Sequence, residues 1–210
     1  MINSKEKESL HRIATFASGR GSNAEKIIDY FSNNKAVDIC LILTNRSKAK
    51  VLELADKCNI PTLIPSRDEF YHSDKVIQSL AKYNIDLIVL AGFLWLIPNN
   101  LVKAYPNKIV NIHPALLPKY GGKGMYGMNV HNAVHNAGEN ETGITIHYVN
   151  EVYDEGEIIF QAACRLLDSD TPDQIAAKVL ALEHHHLPRV IEQLLKSCLL
   201  YTSPSPRDRG

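Results

Sequence analysis

The sequence predicts an α/β fold in which a mostly parallel central sheet is flanked by helices and followed by a C-terminal hairpin and a long final helix. Apolar runs alternate four times with segments of helical spacing in the first half of the chain, a pattern typical of parallel sheets covered on both faces. Apolar residues make up 45% of the 210 residues, enough for the core of one domain, which we assign to residues 12–196. Because such sheets bind ligands beyond the carboxyl ends of their strands, residues that follow a strand are the first candidates for a site.

The strands and helices of the first half follow from the spacing of apolar residues. Near-continuous apolar runs predict strands, which we place at 13–17, 37–43, 62–64, 85–93 and 108–112. The fourth of these runs, IDLIVLAGF, has the composition of a strand that is buried on both faces. Apolar residues spaced by three and four predict helices, which we place at 24–31, 51–58 and 76–81.

The second half of the chain changes character. A glycine-rich loop at 120–129, YGGKGMYGMN, precedes a segment of helical spacing at 130–137. The alternating residues at 142–149 and the run at 157–164 predict two paired strands, which form the hairpin that extends the sheet.

The last helix has clear start signals and an abrupt end. Thr171 is its predicted N-cap, Pro172 its first residue, and Gln174 completes a capping box. The helical pattern stops near Lys196, and the Pro, Ser and charged residues that follow cannot build a core. We therefore interpret residues 197–210 as a disordered tail, with read-through into foreign sequence as one explanation of SPSPRDRG.

Charge and cysteine content exclude several classes of protein. Lys and Arg number 23 and Asp and Glu number 23, so no global charge favours nucleic acid or an anionic membrane. The start of the chain lacks the apolar segment of a signal peptide, and no apolar run reaches the roughly 18 residues of a membrane span. The four widely spaced cysteines form no C-x-x-C pair, which predicts reduced thiols, no zinc site and a cytoplasmic location.

A glycine loop, SGRGSN, lies where the first strand passes into the first helix. Its glycines would let the backbone approach a ligand closely, and the N–H groups at the helix start would hold a phosphate. The glycines also fit the dinucleotide pattern G-x-G-x-x-A, but no acidic residue ends the second strand. This disfavours NAD and leaves NADP, bound through Arg46, as a minor alternative. A purely structural alternative is that Ser22 caps the helix in a capping box with Glu25.

A second polar cluster lies at the end of the strand at 108–112. Asn111 and His113 are two residues apart, so the period of a strand points both side chains to one face. An amide beside an imidazole suits the stabilisation of an oxyanion, and imidazole can transfer protons near neutral pH. The alternative is an ordinary strand end at which backbone groups satisfy His113.

Asp154 lies in the turn of the predicted hairpin, where an Asp often only stabilises the turn. If Asp154 lay beside His113, its carboxylate would raise the pKa of the imidazole and favour the charged form.

Six motifs together resemble the phosphoribosylglycinamide formyltransferases, a family of one-carbon transferases. In chain order they are SGRGSN, VLAGF, NIHPALLPKY, TGITIHYV, YDEGEII and EHHHLP, over residues 13–195 at about the family spacing. The resemblance implies a Rossmann-like formyltransferase fold. It also implies transfer of a formyl group from 10-formyltetrahydrofolate to the amino group of 5′-phosphoribosylglycinamide, a step of de novo purine (IMP) biosynthesis. We expect small-molecule substrates, no metal, and a monomer or a homodimer.

The resemblance assigns three sets of site residues, each carried over onto matching positions of this sequence. The catalytic set would be Asn111, His113 and Asp154. The phosphate and ribose of the amine substrate would be bound by Gly21, Ser22, Asn23 and Glu183. Folate would be bound by Arg67, Leu94, Trp95, Leu96, Ile97 and Asn111, with the loop at 150–154 beside its pteridine ring.

The chain departs from the family pattern at two places, and three other functions stay open. Trp95 stands where many members have a basic residue, and the long loop at 121–128 is either a lid or a flexible connection. The alternatives are a 10-formyltetrahydrofolate hydrolase, another folate-dependent N-formyltransferase, and a catalytically silent nucleotide-binding protein. Only about twelve residues precede the first strand, so we expect no N-terminal regulatory domain of the hydrolase type.

Overall fold

A sheet with helices on both faces forms the centre of the computed structural model, which describes residues 10–202 and the side chains of residues 10–197. Its seven strands are β1 His11–Phe16, β2 Val37–Leu43, β3 Thr62–Leu63, β4 Leu87–Leu90, β5 Ile109–His113, β6 Glu141–Tyr148 and β7 Ile158–Arg165. Within the sheet they lie in the order β3-β2-β1-β4-β5-β6-β7.

The sheet is mostly parallel, and its last two strands form a hairpin. β1 lies at the centre of the parallel part and pairs with β2 on one side and β4 on the other. β5 pairs in parallel with β4 and antiparallel with β6, which in turn pairs with β7. The predicted fold class is therefore confirmed. The chain order reverses between β1 and β4, and the crevice at their carboxyl ends is the usual position for a ligand.

The helices of the described residues are α1 Ser22–Phe31, α2 Val51–Lys57, α3 Arg67–Tyr71, α4 Lys75–Lys82, α5 Asn99–Ala104, α6 Met128–Asn136 and α7 Pro172–Thr202. The short helices α3 and α5 were not expected, because segments of this length cannot show an apolar period. α3 nevertheless has a readable start signal. The N–H of Glu69 donates to the hydroxyl of Ser66, and the N–H of Ser66 donates to the Glu69 carboxylate, which completes a capping box.

The start of α7 is as predicted, whereas its end lies further along the chain. The N–H of Thr171 donates to the side-chain oxygen of Gln174 at 2.8 Å, and the N–H of Gln174 donates to the Thr171 hydroxyl at 3.3 Å. The helix continues past Lys196 to Thr202, so the predicted tail begins too early. The first proline after this point is Pro204, and nothing before it breaks a helix. Residues 203–210 lie outside the described part of the chain, where disorder stays a prediction.

Two apolar clusters cover the two faces of the sheet. One packs α1, α6 and α7 against the strands and includes Ile27, Val130 and Val179. The other packs α3, α4 and α5 against the opposite face and includes Phe70 and Ile88. These clusters hold the strand ends in a fixed relation to one another, which positions the residues that follow the strands.

The described residues bear on three features: membrane spans, free thiols and groups that could hold a metal ion. Within residues 10–202 no helix is long and apolar enough to cross a membrane. Cys40, Cys58 and Cys164 are free thiols, and the side chain of Cys198 lies outside the described residues. Among the side chains of residues 10–197, no three His, Cys, Asp or Glu are arranged to hold a metal ion.

We predict that Ile88→Ala lowers the free energy of unfolding by about 2–5 kcal/mol, because it removes most of a fully buried side chain of β4 and leaves a cavity in its place. Ile158→Ala in β7 is the matched control, since Ile158 is 46% exposed, and its cost should be about 0.5 kcal/mol or less. Urea unfolding followed by circular dichroism measures both. Equal losses in the two variants would contradict the assigned core.

Candidate functional site

A deep cavity of about 870 Å³ opens beside the carboxyl ends of β4 and β5. Its walls come from the residues after these strands, from the glycine-rich loop at 122–128, from the segment between β6 and β7, and from α7. The volume suits a small-molecule ligand. The position is the one that the strand order predicts.

The glycine loop after β1 is held by contacts on both sides. The N–H of Val51 donates to the carbonyl of Gly19 at 3.1 Å, and the N–H of Leu94 donates to the hydroxyl of Ser18 at 2.9 Å. Gly21 has a φ of 77°, and a Cβ at this position would lie 2.5 Å from Cγ2 of Val51. Only glycine fits there without strain.

The structure contradicts the alternative in which Ser22 caps the helix. The N-cap of α1 is Gly21, no side chain caps this helix, and Ser22 is its first helical residue. The N–H of Glu25 donates to the Gly21 carbonyl at 2.8 Å, which is the first hydrogen bond of the helix. The N–H groups of the first turn come before this bond and therefore have no acceptor within the helix. Such groups can bind an anion. Arg20 and Asn23 line the cavity beside this helix start, whereas Gly21 and Ser22 are not among the lining residues.

Asn23 and Glu183 meet on the cavity wall between α1 and α7, although they are 160 residues apart. Nδ2 of Asn23 donates to Oε2 of Glu183 at 2.7 Å. Burial raises the pKa of Glu183, while the hydrogen bond from Asn23 acts in the opposite direction. Oδ1 of Asn23 is buried without a hydrogen-bond partner among the described residues.

β5 and the segment before β7 bring Asn111, His113 and Asp154 together. Nδ2 of Asn111 donates to Oδ1 of Asp154 at 3.4 Å, and Nδ1 of His113 lies 3.5 Å from Oδ2 of the same carboxylate. All three side chains line the cavity. The N–H of Gly122 donates to Oδ2 of Asp154 at 2.9 Å, which joins the glycine-rich loop to this set.

Two residues of this cluster have a left-handed backbone. The φ angles of Tyr120 and Asp154 are 57° and 56°. Asp adopts this conformation more readily than most residues do. The carbonyl of Tyr120 accepts a hydrogen bond from Nε2 of His113 at 2.8 Å. Because this bond occupies Nε2, the other ring nitrogen of His113 is the one that faces Asp154.

His147 is a further member of the cluster that the sequence reasoning did not single out. Its Nδ1 donates to the carbonyl of Tyr148 at 2.8 Å, so Nε2 accepts from Nδ2 of Asn111 at 3.1 Å. Nε2 also lies 3.6 Å from Oδ1 of Asp154. These contacts fix the rotation of the Asn111 amide. The missing signal was the pairing register of β5 with β6, which places Asn111 opposite His147.

Burial sets the charge of the cluster. The pKa of His113 is lowered because burial disfavours the imidazolium, although the Asp154 carboxylate and the Tyr120 carbonyl act to raise it. The Asp154 carboxylate therefore acts in the expected direction, toward the charged form, but burial outweighs it. Burial would raise the pKa of Asp154, but its contacts with His147, His113 and the Gly122 N–H together hold it below its usual value. The resting cluster thus combines a carboxylate with a neutral His113.

The segment after β4 forms an apolar wall of the cavity. All four residues at 94–97 line it, as expected for a wall that contacts a flat ring system. Arg67 is not among the lining residues. Its guanidinium lies 5.3 Å from the ring centre of Tyr71 and 5.8 Å from that of Trp95. Arg67 therefore contacts the wall through Trp95.

Gly21→Ala should lower the free energy of unfolding by about 1–3 kcal/mol, because the new Cβ meets Val51 and the backbone is left-handed. Gly19→Ala is the control in the same loop, since a Cβ at Gly19 has no atom within 4 Å. Thermal unfolding of both variants tests this. A Gly19 variant that loses as much stability as the Gly21 variant would argue against the close approach to Val51.

Asp154→Asn should lower the pKa of His113 further, because it removes the charge that raises this pKa and leaves the burial unchanged. NMR titration of the imidazole measures the shift. Asp168→Asn, at an exposed position, serves as the control and should leave the His113 titration unchanged. A higher pKa of His113 in Asp154→Asn would contradict the assigned contact.

Comparison with known proteins matches most of the chain to one family. The family model described as formyl transferase matches residues 11–191. The chain is 44% identical to the chloroplastic phosphoribosylglycinamide formyltransferase of Arabidopsis thaliana, over 82% of this chain and 61% of that protein. It therefore spans about three fifths of that relative. It is 36% identical to phosphoribosylglycinamide formyltransferase of Bacillus subtilis (strain 168), over 89% of this chain and 95% of that protein.

Solved structures agree with this result. Crystal structures of phosphoribosylglycinamide formyltransferase from Bacillus halodurans and Anaplasma phagocytophilum have TM-scores of 0.80 and 0.81 and identities of 36% and 34%. Each match covers 89% of this chain, with 96% and 87% of the respective solved chain. The chain belongs to the formyl transferase family.

Proposed function

We propose that the chain transfers the formyl group of 10-formyltetrahydrofolate to the amino group of 5′-phosphoribosylglycinamide in de novo purine biosynthesis. The convergence of Asn111, His113 and Asp154 in one cavity carries this proposal. Arg20 and Asn23, beside the start of α1, line the same cavity as the apolar wall. One substrate has a phosphate and a ribose, and the other has a flat ring system next to its formyl group, so the two kinds of wall match the two substrates.

The phosphorylated amine fits the wall formed by α1 and α7. The N–H groups at Gly21, Ser22 and Asn23 would hold the phosphate, and Arg20 adds a positive charge beside them. The ribose hydroxyls would donate to Glu183, which lines this wall. Binding energy from these remote groups would orient the amine toward the reacting carbon.

The formyl donor fits the apolar wall at 94–97, which lies beside Asn111 in the same cavity. The pteridine ring would pack against these side chains and against the segment at 150–154, and Arg67 would attract the carboxylates of the folate tail. This chemistry needs 10-formyltetrahydrofolate as a cosubstrate and no metal.

Negative charge develops on the formyl oxygen when the amine attacks the formyl carbon. The hydrogen bond from Nδ2 of Asn111 to Asp154 is long, at 3.4 Å, so this N–H can turn to the oxyanion at little cost. Negative charge that develops beside His113 would raise the pKa of its imidazole and favour the protonated form. The Asp154 carboxylate favours this protonated form.

Small-molecule substrates are the partners that this proposal requires. The cytoplasmic location and a monomeric or homodimeric state stay predictions. A 10-formyltetrahydrofolate hydrolase could use the same three polar residues, but it would need no site for a second, phosphorylated substrate. The buried Asn23–Glu183 pair beside the helix start of α1 therefore favours formyl transfer over hydrolysis.

Asn111→Ala and His113→Ala should each lower kcat by about 10²–10³, because each removes a group that would stabilise the oxyanion. Binding of the phosphorylated amine should change little, since neither residue belongs to the phosphate wall. Steady-state assays of formyl transfer, with calorimetry for binding, measure the two effects. His135→Ala is the control, because His135 is exposed on α6.

The same assay separates the candidate functions by their products. Formylated glycinamide ribonucleotide as the main product supports the proposal. Formate release without an acceptor would identify a hydrolase, and ligand binding without turnover would identify a silent binding protein.

A further inference from the structure

β7 forms one outer edge of the sheet, because the strand order ends with it. It pairs with β6 on its inner side, and no other strand of residues 10–202 pairs with its outer side. The backbone N–H and C=O groups that point outward therefore have no strand partner in the described part of the chain. At the opposite edge, β3 has only two residues and offers no comparable surface.

Proteins usually protect a long edge strand, and β7 has little protection of this kind. It spans the eight residues Ile158–Arg165, and the residues at 158–164 include no charged side chain and no proline, the two residue types that commonly protect an edge. A shift of register lies near its start, but its pairing with β6 is regular from Phe160 to Arg165. Ile158 is 46% exposed. Such an apolar edge is suited to pairing with another strand.

Contacts on both faces of the sheet hold β7 in place. Nε2 of Gln161 donates to the carbonyl of Leu117 at 3.1 Å and to the hydroxyl of Thr145 at 2.9 Å. On the other face, the ring centre of Phe160 lies 4.8 Å from that of His186 on α7. The outer edge is therefore fixed in an extended conformation, so a partner strand could pair with it at a small cost in conformational entropy.

The two ends of β7 carry opposite charges. Glu157 comes directly before the strand, and Arg165 is its last residue. Both residues are exposed, and neither forms an ion pair with another residue of the described chain. They lie roughly 26 Å apart, because a strand rises about 3.3 Å per residue, so they cannot pair with each other.

An antiparallel partner with the same sequence would match β7 in charge and in size. With a two-fold axis at Gln161, Glu157 of each copy lies opposite Arg165 of the other, so two ion pairs form. Between these charged ends, each larger apolar side chain lies opposite a smaller residue; the pairs are Ile158 with Cys164, Ile159 with Ala163 and Phe160 with Ala162.

We propose that the outer edge of β7 binds the same edge of a second copy of this chain, in antiparallel orientation, to form a two-fold symmetric dimer with one continuous sheet. Backbone hydrogen bonds across the two edges would hold the copies together, and the ion pairs would set the register. A parallel arrangement would instead place Glu157 beside Glu157 and Arg165 beside Arg165, which is unfavourable.

The dimer would leave the cavity of each copy open. Among the described side chains, those at 157–165 do not line this cavity. The inference therefore does not rest on the proposed formyl transfer. One strand pair buries a small interface, so we expect a dissociation constant in the micromolar range.

Reversal of the charges tests both the partner and the register. Glu157→Lys places a lysine opposite Arg165 of the second copy, and Arg165→Glu places a glutamate opposite its Glu157. The two-fold axis repeats each change, so each single variant should raise the dissociation constant of the dimer by about tenfold or more. Sedimentation equilibrium over a micromolar concentration range measures this constant.

The double variant Glu157→Lys/Arg165→Glu restores opposite charges across the interface. Its dissociation constant should return to within about threefold of the wild-type value. The two positions are too far apart to interact within one chain, so recovery in the double variant can come only from contact between two chains.

Controls with the same changes in charge lie elsewhere on the surface. Glu53→Lys on α2 and Lys82→Glu on α4 are at exposed positions and should leave the dissociation constant unchanged. Circular dichroism verifies the fold of every variant. Hydrogen exchange needs no variant: a higher concentration of wild-type protein should slow exchange at alternate N–H groups of β7, where new hydrogen bonds form.

Three results would overturn the proposed dimer. They are a wild-type chain that stays monomeric throughout the micromolar range, a dimer whose affinity neither single reversal changes, or a double variant that binds no better than the single ones. Slow exchange of alternate β7 N–H groups in a monomer would also overturn it, because another segment of the same chain would then occupy the edge. Absence of formyl transfer would overturn the proposed function and leave this inference in place.

Discussion

The antiparallel pairing of β5 with β6 is the constraint on which the site depends. Its register places Asn111 opposite His147 and His113 opposite Thr145. Thr145 is fully buried, and its hydroxyl donates to a carbonyl and accepts from an N–H of the loop that leaves β5. One strand pair therefore orients the Asn111 amide and also anchors the loop whose Tyr120 carbonyl holds the His113 imidazole. A slip of one residue would turn each of these side chains to the other face of the sheet.

Asp154 is a half-buried carboxylate that accepts hydrogen bonds from two donors. Nδ2 of Asn111 and the N–H of Gly122 donate to it and offset part of the cost of burying its charge. Burial keeps His113 neutral beside this carboxylate. A negative charge that develops nearby would favour the protonated imidazole, so His113 can become positively charged when such a charge appears. In the proposed reaction, such a charge appears on the formyl oxygen.

The sequence predicted the parts of the molecule that depend on local periodicity. Alternation of strands and helices indicated the parallel sheet, and the period of two placed Asn111 and His113 on one face. Asp154 joined them only through the family resemblance, because no local pattern reports a contact between a turn and a distant strand. His147 escaped notice for the same reason, since its role depends on the register between β5 and β6. The alternative of a cap at Ser22 fails because the residue before it, a left-handed glycine, takes the N-cap position itself.

The left-handed backbone of Asp154 limits which residues can occupy this position. Glycine, asparagine and aspartate adopt such a conformation at low cost, whereas most other side chains would strain the turn. Of these three, only aspartate supplies a negative charge. Asparagine keeps the shape of the turn without the charge, and glutamate keeps the charge at the expense of the shape. Backbone geometry therefore narrows the choice at this position to a few amino acids, and chemistry then selects one of them.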